Sequence, residues 1–186
     1  MNYLSICRNF FNSKNLLIPA LVISLIIKIF FFIFLLYFDL TLLYGDQSKY
    51  WDLSEKIFNQ NVFFHKEFGT MRVPLYPLFL AGLKLINSNI YFIIFTQMLI
   101  NFYVLYLIFK IGFLFSLKIA NISVLISALS LNLLNSSFFI LTESLFLPFF
   151  LIFMFNFLKF FSENNYNYKY LIISSIFLGL ATLTRP

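Results

Sequence analysis

The chain has 186 residues, 61% of them hydrophobic and 11% charged, with a net charge of +6. Soluble domains run about 45–50% apolar and about 25% charged, so this composition excludes a soluble domain and indicates a polytopic membrane protein. The basic residues are scattered between apolar runs without a basic stripe carrying aromatics, which argues against a nucleic-acid partner. A single cysteine, Cys7, excludes an internal disulfide, and a single histidine, His65, leaves no basis for a Cys- or His-built metal site.

A membrane-crossing helix needs roughly 20 apolar residues. The first run, Leu16 to Phe38, satisfies this and is interrupted only by Lys28. It is too long for a cleavable signal peptide, and no small-residue cleavage site follows it. Lys28 lies near mid-span, where a charge costs roughly 2.5–3.5 kcal/mol on insertion scales, and the sequence assigns it no partner. The polar stretch Asp39 to Arg72 comes next. Within it Tyr50, Trp51, Leu53, Ile57 and Phe58 share one helical face, and Asp52, Glu55, Lys56 and Asn59 share the other. This pattern predicts an amphipathic helix lying on the membrane surface. Asp46, one turn before Tyr50, projects onto its apolar side. Val73 to Ile86 is apolar, but about 14 residues at 1.5 Å each cover only roughly 21 Å. With Pro74 and Pro77 suited to a first turn, it predicts a second surface or re-entrant helix.

After Asn87-Ser88-Asn89 the chain carries four more apolar runs. The expected spans are residues 16–38, 90–117, 119–141, 144–161 and 170–184, with an outer loop over 39–89. The fold class is therefore all-α, a polytopic bundle of about five transmembrane helices with amphipathic surface helices in the first outer loop. No internal repeat, low-complexity linker or separate soluble domain is evident. Five spans place the N-terminal tail with Arg8 and Lys14, the Lys110/Lys118 turn and the Lys159/Lys169 turn on one side. By the positive-inside bias that side is cytoplasmic. The 39–72 loop and the corner from Asn135 to Glu143 then share the outer face of a cell inner (plasma) membrane.

That topology puts two acids from distant parts of the chain, Asp46 and Glu143, on one face, where a pair of carboxylates can serve as base and positioning group. The structural alternatives are that Asp46 caps the amphipathic helix and that Glu143 complements the start of the fourth span. Arg72 and Arg185 are candidate phosphate partners, or anchors at the membrane surface. Lys49 and Tyr50, beside Asp46, are candidate substrate contacts. His65 reads as a loop residue.

The arrangement resembles the N-terminal part of GT-C membrane glycosyltransferases, which include protein O-mannosyltransferases and the transferase that adds aminoarabinose to lipid A. The matching pieces are Gly45-Asp46-x-x-x-Tyr50, Arg72-Val73-Pro74-Leu75-Tyr76-Pro77-Leu78, Thr142-Glu143-Ser144 and Gly179-Leu180-Ala181-Thr182-Leu183-Thr184-Arg185-Pro186. Their order, spacing and shared side carry the resemblance, which extends from Leu16 to Pro186. It implies an inverting enzyme that moves a sugar from a polyprenyl-phosphate carrier to a lipid, glycan or protein acceptor at the outer face. It further implies that Asp46 acts as base on the acceptor hydroxyl or positions it, that Glu143 lies at the same site, and that Arg72 and Arg185 stabilise the phosphate leaving group. No metal or other cofactor is required. Members of this class commonly carry about twice as many spans, so residues 1–186 are expected to form a truncated GT-C-like bundle, the N-terminal part of such a domain. Two other classes remain open: a transporter component, which would show ionisable residues and broken helices near mid-membrane, and a non-catalytic membrane subunit.

Overall fold

The computed structural model describes residues 15–38, 43, 45–60, 73–162 and 167–185. Its described residues form eight helices: α1 Leu17–Phe38, α2 Asp46–Gln60, α3 Leu75–Ile86, α4 Ile90–Phe113, α5 Leu117–Ala128, α6 Leu131–Phe138, α7 Glu143–Ser162 and α8 Tyr168–Thr182. The all-helical expectation holds, and no strand occurs among the described residues.

Three helices, α1, α4 and α7, are each long and apolar enough to cross a membrane. The expected third span is not continuous. It is the pair α5 and α6, bent by 55° at a short break. The break falls at Leu129 and Ser130, where Ser130 takes an extended backbone conformation (φ −70°, ψ 122°) and caps α6. No proline causes it; the kink lies among the serines Ser127 and Ser130, side chains that compete with the helical ladder for backbone groups. The expected fifth span, α8, is an apolar helix of 15 residues.

Small and polar residues let the helices meet. Gly112 ends α4 beside α5, and a Cβ there would come within 2.7 Å of Ala120 Cα. Ser116 then caps α5, its hydroxyl accepting from Ile119 N at 3.1 Å, so the two helices turn back on each other. Near that end Ala20, Leu105, Phe109, Ala120, Val124 and Ala128 form one core cluster. Asn121, fully buried, accepts from Leu16 N at 2.9 Å and ties the start of α1 to α5. At the opposite end, Leu35, Ile94, Met98 and Phe138 join α1, α4 and α6. In α7, Pro148 lies within the helix and is buried. Lys159, in its last turn, donates to Tyr170 Oη at 2.6 Å and fastens α7 to α8.

Lys28, without a partner in the sequence, has two here. Its ammonium donates to Asn101 Oδ1 of α4 and lies 4.4 Å from the centre of the Phe102 ring.

Candidate functional site

The α2 and α3 helices lie side by side, and their seam explains why the polar stretch folds. The buried stripe of α2 is Leu53, Ser54 and Ile57, with Tyr50 and Trp51 half-buried. Phe58, expected on that face, is exposed. From α3, Lys84 reaches under α2. Its ammonium lies 3.5 Å from the centre of the Trp51 ring, donates to Trp51 O at 3.3 Å and sits 3.6 Å from Glu55 Oε1. Trp51 Nε1 donates to the same carboxylate oxygen at 2.7 Å. Burial pulls the Lys84 pKa down to about 8, against the opposing pull of Glu55. Pro74 caps α3 and Pro77 falls in its first turn, where a missing N–H costs no intrahelical bond.

At the α2–α3 end of the bundle Tyr76 is completely buried. The ring of Tyr50 meets it edge-on at 5.3 Å. Its hydroxyl accepts from Gln97 Nε2 of α4 at 2.9 Å and lies within hydrogen-bonding reach of the Ser144 side chain on α7. Burial raises the phenol pKa well above its ordinary value, although these two hydrogen bonds oppose the shift. Tyr76, Leu80, Ile93, Ile140 and Leu145 form the surrounding core, with Leu43, Tyr50 and Trp51 packed on it. One phenol therefore joins α2, α3, α4 and α7.

Glu143 stands next to Ser144, at the first residue of α7. Its Oε1 receives Arg185 Nη1 at 2.8 Å, with 53% of the Arg185 side chain and 34% of the Glu143 side chain exposed. The backbone N–H of Leu75 donates to Leu183 O at 3.2 Å, which brings the start of α3 to the end of α8. Two of the sequence-derived residues are thus in direct contact, from positions 42 residues apart. Their pairing also limits the roles available to each: Arg185 meets an acid in this state, and an incoming anion has to compete for it.

Asp46 opens α2 one turn before Tyr50, after Gly45 in the left-handed region (φ 60°). Its carboxylate is 3.7 Å from Lys49 Nζ, and both side chains are about two-thirds exposed, 66% and 64%. Asp46 is therefore outside the α2–α3 packing seam. The expected placement of Asp46 on the apolar side of α2 is thus corrected, and Asp46 is the first residue of the helix, not the cap before it. Both acids occupy the first turn of a helix, where the dipole favours them. Arg72 and His65 lie outside the described residues. Among the described residues no group of three or more His, Cys, Asp or Glu side chains could hold a metal ion.

The match that decides the family falls on this same region. The family model for dolichyl-phosphate-mannose-protein mannosyltransferase matches residues 72–186. The chain belongs to this family. The matched family segment contains Arg72, Tyr76, Glu143 and Arg185 and begins after Asp46, Lys49 and Tyr50. No curated protein and no solved structure matches the chain. Membership makes it a protein of a membrane glycosyltransferase family, in accord with its apolar helices.

In the sequence Tyr76 and Ser144 stand in the matching pieces without an assigned role, and Lys84 and Gln97 have none. Each looks ordinary inside or beside an apolar run. The available signal was polarity: Gln97 and Asn101 are one turn apart in an otherwise apolar span, and such residues in a membrane helix are placed against a partner.

Proposed function

We propose that residues 1–186 are the N-terminal part of a glycosyltransferase that moves a sugar from a polyprenyl-phosphate carrier to a lipid, glycan or protein acceptor. The reaction inverts the anomeric carbon at the outer face of the plasma membrane, with the N-terminus cytoplasmic. The observation that carries this reading is the convergence around Tyr76. It gathers the helix bearing Asp46, the start of α7 bearing Glu143 and the Arg185 segment at one end of the bundle.

In this reading Asp46 accepts the proton of the acceptor hydroxyl or orients it, and Lys49 and Tyr50 contact substrate. Glu143 shares the site. The phosphate leaving group takes over Arg185 from Glu143 and also meets Arg72. Cationic groups suit this step because a phosphate leaves as an anion and needs charge stabilisation more than a proton. The exposure of Arg185 and Glu143 supports the exchange: both can be reached without opening the core.

The test is sugar transfer from polyprenyl-phosphate donors in reconstituted membranes, with the complete protein that contains this segment. Loss of a positioned base typically costs about 10²–10⁴-fold, so Asp46→Asn is expected to fall by that factor with donor binding retained. Glu143→Gln and Arg185→Ala are expected to lower transfer as well, Arg185→Ala with weaker donor binding. Undiminished transfer by Asp46→Asn would remove the base assignment. Undiminished transfer by all three would remove the site.

A further inference from the structure

The break between α5 and α6 faces Lys28, and together they line a mainly apolar hollow that carries a few polar groups, far from either end of α1. The cavity has a volume of about 160 Å³ and is lined by Ser24, Lys28, Asn101, Ser127 and Ser130 among apolar walls. Lys28 is 2% exposed and Asn101 is 3% exposed. None of the lining residues is acidic. The nearest compensation for the ammonium is one amide oxygen and one aromatic face, both neutral. An ammonium has three donors, and Asn101 takes one of them.

The amide cannot swing away to serve the charge more fully. Asn101 Nδ2 is committed to Leu133 O at 3.1 Å and Ser136 Oγ at 3.3 Å, both on α6. The same bonds fix the bent pair against α4. The first turn of α6 opens on the cavity, since Ser130 and Leu131 line it. Ser130 makes no capping hydrogen bond with its side chain. Helix N-termini leave their first N–H groups without intrahelical acceptors and carry a partial positive charge. The lysine ammonium and the start of α6 thus bring positive polarity to one small volume, with serine hydroxyls beside them that can donate to an anion.

We infer that this cavity is an intramembrane anion site that takes one small monovalent inorganic anion of the halide class, with Lys28 as its charge partner. Size admits that choice, since a space of about 160 Å³ holds a halide together with a few waters. Charge supports it too. A single ammonium balances a single negative charge, whereas a doubly charged phosphate would leave net charge in a low-dielectric interior. The site is independent of the proposed transfer chemistry. Gln97, which serves Tyr76, and Asn101, which serves Lys28, are one turn apart on α4.

The test is thermal unfolding of the purified chain in detergent, in sodium chloride against sodium gluconate at equal ionic strength. Gluconate carries the same charge on a long polyhydroxylated chain and is not a compact inorganic anion. The wild type is expected to gain about 4 °C in Tm in chloride, as a ligand that binds only the folded state raises stability by mass action. Lys28→Met is expected to lose the chloride response while still folding, because it replaces a buried charge with an apolar chain of similar length. Lys28→Arg is expected to keep the response. An equal Tm in the two salts for the wild type, or the same chloride gain in Lys28→Met, overturns the proposal.

Discussion

Lys84 shows how one side chain organises the outer loop. Its charge is buried between α2 and α3, and its neighbours supply an aromatic face, a carbonyl and a carboxylate. The pH response follows from its lowered pKa. Between about pH 8 and pH 10.5 the unfolded chain still holds the lysine proton that the folded chain has released. Stability therefore rises with pH across that window. Tyr76 acts in the opposite sense higher up. Its folded pKa is raised, so above pH 10 the unfolded chain loses a proton that the folded one keeps, and stability falls. The window that isolates Lys84 is pH 8 to 10. There the wild type is expected to gain thermal stability relative to Lys84→Met. Parallel pH responses of the two proteins would show that Lys84 does not carry the effect. Nothing in the sequence distinguishes Lys84 from a surface anchor, because its partners are about 30 residues away in the chain and only the fold supplies them.

At the scale of elements, two glycines set the positions of helices. Gly45 starts α2 at φ 60°, a conformation that favours glycine, so Gly45→Ala is expected to cost about 1 kcal/mol and to loosen the start of α2. Gly112 is governed by space instead. A methyl group there meets backbone atoms of Ala120, which cannot rotate away, so Gly112→Ala is expected to force α4 and α5 apart at a cost of about 1–3 kcal/mol. Unfolding midpoints in detergent check both, and a Gly112→Ala midpoint equal to wild type would contradict the contact. The apolar runs made the helices legible at this scale. The α5–α6 break was not, because a run from Ile119 to Leu141 is uniformly compatible with lipid. The turn at Ser130 depends on Asn101 binding Leu133 O and Ser136 from another helix.

For the whole molecule, two core clusters lie toward opposite ends of the long helices. The proposed orientation has a direct measurement. In a Cys7→Ser background, Ser88→Cys is expected to react with a membrane-impermeant thiol reagent added outside intact cells. Lys118→Cys is expected to react only after the membrane is opened. The reverse pattern would invert the topology and move Asp46 and Glu143 to the cytoplasmic side. The ionic surface near the candidate site is modest: Asp46 with Lys49 and Glu143 with Arg185, both substantially exposed. Exposed pairs of this kind contribute little to stability, about 0–1 kcal/mol each, so their removal should be read through transfer and not through Tm.

By itself the sequence determined the solvent and the helix class, because apolar run length and charge placement are properties of the chain that any fold must respect. It also led to the expectation that Asp46 and Glu143 share one side, since one and three expected crossings separate them from the N-terminal tail. Only the tertiary structure decided which side chains meet. Tyr76 became the centre of one end of the bundle because α2, α4 and α7 each contribute a contact to it. Arg185 became the partner of Glu143 because the end of α8 returns to the start of α7. Lys28 acquired an amide and a cavity because the third span bends beside it. Such pairings depend on distance in space between residues far apart in sequence, and no local pattern encodes that distance.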